Sequence, residues 1–121
     1  MRRTRVVALL GMALISAPAA ADQYLKSRAP KAHIDGFLHE CRQKVPDASC
    51  RCMVKELASN AEGDFLLDLG APALRLKQQP ANLKSDAVLK ALNRHGLKAS
   101  EGKAIVDRAA PILQEAARVC A

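Results

Sequence analysis

The 121-residue chain has no tryptophan, and Tyr24, Phe37 and Phe65 are its only aromatic residues. Proteins that hold single-stranded nucleic acid lean on aromatic stacking platforms, and sugar sites lean on the same surfaces, so neither class is expected. β-branched residues are few, and no stretch alternates apolar with polar over the length of a strand. There is no Gly-x-Ser-x-Gly elbow, phosphate loop or dinucleotide fingerprint. His39-Glu40 opens like a zinc-protease helix, but Gln43 stands where the second histidine would be. No catalytic or cofactor-binding residue is therefore assigned, and the chain does not read as an enzyme.

Long apolar runs are missing too. The longest, residues 6–15, is ten residues, well short of the roughly 18 to 20 that cross a bilayer as a helix. It follows Arg2, Arg3 and Arg5 and precedes the small residues of 16–21, which is the three-part layout of a secretory signal. Cleavage after Ala21 leaves residues 22–121 as a single domain with no membrane span. That product is expected in the periplasm or outside the cell. Its 16 Lys and Arg against 12 Asp and Glu give a net charge of +4, mildly basic and interleaved with acids, so no nucleic-acid role is expected.

Against these absences stand four cysteines: Cys41, Cys50, Cys52 and Cys120. An even count in a short exported chain reads as two disulfides, because a chain of this size builds only a marginal core. Of the three possible pairings, Cys50 with Cys52 demands an unwound helix, since neighbours two apart point about 200° from each other. The other two share a plan in which Cys41 closes a hairpin and Cys120 ties down the tail. Helical side chains lean toward the N-terminus, which tips the choice toward Cys41 with Cys52 and Cys50 with Cys120. The rival use is a copper or zinc site, because His39, Cys41, Cys50 and Cys52 fall within 14 residues. Their spacing fits no zinc pattern, and exported thiols are normally oxidised, so no metal ligand is assigned.

The fold class is all-α, a bundle of four to five helices. Ile34, Phe37, Leu38 and Cys41 make the buried stripe of a helix starting at Pro30, and Cys50, Met53, Val54 and Leu57 that of a second, capped by Asp47 or Ser49. Residues 59–63 read as a weak point before a short helix over 64–69, where Phe65, Leu66, Leu67 and Leu69 pack inward and Gly70 stops the helix. Ser85 caps a helix with Val88, Leu89 and Leu92 inward, ended by Gly96, and a last helix over 100–119 is kinked by Pro111. Glu56, Glu62, Asp64 and Asp68 read as a polar face, and His33, His39 and His95 as scattered.

The run Phe37-Leu38-His39-Glu40-Cys41, followed after eight residues by Cys50-Arg51-Cys52 and then Leu57, resembles small exported proteins of proteobacteria. The resemblance covers residues 34–57. It implies export and a disulfide-closed hairpin, and it assigns no active-site residue. The C-x-C is also similar to that of plant lipid-transfer proteins, which have eight cysteines around an apolar tunnel where this chain has four. The expected function is binding without catalysis. Another protein is the expected partner, such as an envelope component or a toxin to be neutralised. An apolar small molecule or lipid between the helices is the alternative.

Overall fold

The computed structural model describes residues 27–78 and 81–121. The signal over residues 1–21, with Tyr24 and Lys26, lies outside the described residues, as does Pro80. Within them the chain forms six α-helices and no strand: α1 Lys31–Arg42, α2 Asp47–Ala58, α3 Ala61–Asp68, α4 Asp86–Arg94, α5 Ala99–Asp107 and α6 Ala109–Val119, with a 3-10 turn over Ala71–Arg75.

Proline punctuates the first hairpin. Pro30 and Pro46 each stand just before a helix with extended backbone (φ −59° at both), a geometry that proline presets and that leaves no N–H to be satisfied. Neither Asp47 nor Ser49 caps α2; Asp47 is its first residue. The anticipated stripes are the buried ones: Ile34, Phe37, Leu38 and Cys41 on α1, and Cys50, Met53, Val54 and Leu57 on α2.

The expected weak point at 59–63 is instead a helix start. Asn60 accepts from the Gly63 N–H at 2.7 Å, so α3 begins at Ala61. Gly63 sits where α3 presses on α2: a Cβ there would lie 2.8 Å from the Cα of Leu57. Only the missing side chain lets the two helices approach so closely. Gly70 (φ 70°, ψ −145°) and Gly96 (φ 62°) take positive-φ backbone conformations that turn the chain after α3 and α4.

The last helix is two helices. Arg108 leaves helical geometry (φ −103°, ψ 11°), separating α5 from α6. Pro111 explains the break, because it can donate no bond to the Asp107 carbonyl and its ring crowds that carbonyl. As the third residue of α6 it occupies a first-turn position, where no intrahelical donor is needed. The bundle thus has six helices where four to five were expected.

Eight-residue α3 is the hub, touching each of the other five helices. It divides the core into two clusters. The first gathers α1 and α2 with Leu67, Ala73, Ala116 and Cys120; the second gathers Phe65 and Leu66 with Ala91, Leu92, Ile105 and Ala109. Leu89, expected inward, is 50 % exposed. The stripe of α4 runs through Val88, Ala91 and Leu92, and Leu89 lies about 100° beyond Val88.

Two disulfides cross-link the first cluster: Cys41 with Cys50 (Cα–Cα 5.9 Å) and Cys52 with Cys120 (Cα–Cα 5.6 Å). This corrects the favoured pairing of Cys41 with Cys52 and Cys50 with Cys120. Axial level gave way to azimuth. Cys50 belongs to the α2 stripe that faces α1, where Cys41 ends the matching stripe, and Cys52, two residues on, points to the opposite side, where α6 packs.

Candidate functional site

Two carboxylates are buried in the hub helix. Asp64 and Asp68, one turn apart on α3, are 6 % and 2 % exposed, so the expected polar face is an interior one. Glu62 is on the surface side, paired with Arg108.

Asp68 is saturated. Its Oδ1 accepts from Arg94 Nη2 at 2.5 Å and from His33 Nδ1 at 3.0 Å; its Oδ2 accepts from Arg94 Nε at 2.8 Å and from His95 Nε2 at 2.9 Å. Four donors use the roughly four acceptor positions that a carboxylate has. Burial alone would push the Asp68 carboxyl up. The hydrogen bonds from Arg94, then His95 and His33, outweigh it and hold the group well below the usual carboxylate range. The same pairing raises the Arg94 guanidinium.

The partners arrive from separate elements. His33 comes from the first turn of α1, Arg94 is the last residue of α4, and His95 is its C-cap, placed by the turn at Gly96. Asp68 stands at the C-terminal end of α3, where the helix dipole disfavours a negative charge, and Arg94 offsets this. His95 also meets the ring of Phe65 edge-on, at 5.8 Å between centroids. Its Nδ1 lies 3.8 Å from Asp64 Oδ2. Asp64 in turn accepts from the Ser27 hydroxyl and, at 2.9 Å, from the Arg28 N–H, which fastens the segment before α1 to the hub.

A saturated carboxylate has no lone pair left for a substrate proton or a metal. The cluster is therefore an ionic clamp joining α1, α3 and α4. Of the three scattered histidines, His33 and His95 meet at Asp68, whereas His39 is exposed and contacts Gln43 at 3.3 Å. Arg94 escaped the sequence reading altogether. All four cysteines are oxidised, so Cys50-Arg51-Cys52 presents no thiolate, and no group of three metal-ligating side chains occurs among the described residues.

Clefts open on both sides of the clamp. One, of about 570 Å³, has His95 and Asp64 in its wall with Arg28, Glu101, Ile105 and Arg108. Another, of about 300 Å³, has His33 and Asp68 in its wall with Leu69, Leu76, Ser85 and Val88. A groove of about 440 Å³ runs between α2 and α6, away from the clamp, over Leu57, Pro111, Ile112, Ala116 and Val119.

None of the helices described is long and apolar enough to cross a membrane. The chain matches no family model, no curated protein and no solved structure, so its function is argued from this geometry.

Proposed function

We propose that the chain is an exported binding protein without catalytic activity, folded in an oxidising compartment, periplasmic or extracellular, and acting by holding another protein. Its two disulfides support the compartment, since such bonds persist mainly outside the cytosol. The groove between α2 and α6 carries the binding reading. Val119 stands 49 % exposed over that apolar floor, with Glu56 on the rim and with Glu62 and Glu115 paired to Arg108 and Arg118. The Cys52–Cys120 bond fixes α6 to α2, so the groove is held in shape before a partner arrives, which lowers the ordering cost of association. An apolar side chain with a single Lys or Arg beside it, to meet Glu56, is the matching partner feature, on an envelope component or on a toxin to be neutralised.

Long-chain lipid is less well served. The 570 Å³ cleft sets Arg28, Glu62, Asp64, His95, Glu101 and Arg108 among Leu97, Ala104 and Ile105, so charged groups interrupt the apolar lining that an acyl chain needs.

A photo-crosslinking residue placed at Val119 tests the reading, with Leu89 as a control of matching exposure on another face. In native envelope extract Val119 is expected to yield a discrete protein adduct that Leu89 does not. The same adducts from both positions, or none from Val119, would overturn the proposal.

A further inference from the structure

We propose that the 300 Å³ cleft beside His33 is a binding site for a small apolar alcohol or phenol, independent of the protein-binding groove. The argument begins with the tautomer. His33 Nδ1 lies 2.7 Å from the backbone carbonyl oxygen of Asp68 and 3.0 Å from its Oδ1. A carbonyl only accepts, so Nδ1 carries the proton and donates to both oxygens. Nε2 is left without a hydrogen-bond partner among the described residues, on a ring that lines the cleft and is 38 % exposed. Behind it, the Asp68 side chain has no exposed surface and fixes the ring from the buried side.

The rest of the wall selects the ligand. Leu69, Pro72, Leu76, Ala87 and Val88 make it apolar, and neither Lys nor Arg is among its lining residues. Without Lys or Arg among the described lining residues, a carboxylate or phosphate ligand would lack a permanent counter-charge. A hydroxyl suits Nε2 in either charge state of the ring, donating to the neutral imidazole and accepting from the cation. Asn82 and Ser85 also line the cleft, but both accept from backbone N–H groups, Asn82 from Lys84 at 3.0 Å and Ser85 from Val88 at 3.3 Å. Mostly apolar walls with a few polar groups are the usual composition of a small-molecule site. The volume is twice the ~150 Å³ that accommodates benzene in an engineered core. A ring with a short alkyl chain fits that space.

Titration of the full chain with 4-propylphenol, followed by NMR of the methyl groups and histidine rings, is the test. Saturable shifts are expected at Leu69, Leu76, Val88 and His33, with propylbenzene, which lacks the hydroxyl, binding at least tenfold more weakly. His33→Asn should erase that tenfold preference while propylbenzene still binds. Ala87→Phe, which fills the mouth of the cleft without touching the clamp, should abolish binding of both. Should His33→Asn lose its methyl dispersion, the phenol to propylbenzene ratio and Ala87→Phe decide the matter. Absent shifts, shifts confined to other residues, or equal affinity for the two probes would refute the site.

Discussion

Asp68 and Arg94 meet through two parallel hydrogen bonds, Nε to Oδ2 at 2.8 Å and Nη2 to Oδ1 at 2.5 Å, around a carboxylate with no solvent-exposed surface. Bidentate pairing of this kind is among the stronger polar contacts that a protein makes. It falls on the half of the molecule that no disulfide reaches, since all four cysteines belong to the first core cluster and α4 and α5 to the second.

Asp68→Asn should therefore cost about 3 kcal/mol or more, because it removes the only charge that balances Arg94 inside the clamp and breaks a largely buried pair. Urea unfolding measures the loss. Amide exchange should show α4 and α5 opening before α1 and α2, which stay cross-linked.

Acid should act through the same group. Because its partners hold the folded carboxyl below its ordinary value of 3.8, the clamp's contribution is fully present above that pH and declines as pH falls toward the folded value. Comparing unfolding free energies of the parent chain and Asp68→Asn between pH 7 and pH 2 isolates it. The difference between the two should be constant near neutrality and shrink below about pH 4; a difference that grows on acidification would contradict the geometry.

Arg51 separates Cys50 from Cys52, so trypsin reads the pairing directly. Without reductant, the peptide 32–42 should be joined to 45–51, and 52–55 to 119–121. Replacing Cys52 and Cys120 by alanine should cost ~4 kcal/mol, and replacing Cys41 and Cys50 ~2.5 kcal/mol, from the loop entropy of the two rings. Calorimetry on the two double variants checks the order.

Two glycines in helices should respond to alanine with opposite signs. At Gly63 the new methyl would press on the backbone of α2, 2.8 Å from the Cα of Leu57, and should destabilise by ~2 kcal/mol despite better helix propensity. At Gly36 the nearest atom is the Ala71 nitrogen at 3.8 Å, an ordinary contact, so alanine should stabilise by ~0.5 to 1 kcal/mol. Thermal unfolding of both variants suffices.

The stripes of α1 and α2 were legible because those helices are half solvated, and periodicity records which half. The hub was not read correctly, for a physical reason. Every residue of α3 from Gly63 to Asp68 is buried, so Asp64 and Asp68, read as part of a surface face, are interior. Two acids set within a run as apolar as Phe65-Leu66-Leu67-Leu69 are themselves a signal for buried partners. Which partners was beyond reach, since Arg94 and His95 lie 26 and 27 residues from Asp68 and His33 lies 35 away. The cysteine pairing followed from the stripes already identified. Stripe membership outranks side-chain lean in setting the pairing, and Pro111 divides a helix where its position predicts a bend.

Cysteine spacing also imposes a schedule on oxidation. Cys41 and Cys50 are nine residues apart, whereas Cys120 is made 68 residues after Cys52, a lag of about 3 to 14 s at ribosomal speeds of roughly 5 to 20 residues per second. Where the emerging polypeptide meets an oxidant, the short ring can shut before the final thiol exists, and Cys52 is the sulfur left waiting for it. Cys120→Ala should accordingly still form the short ring and leave Cys52 reduced.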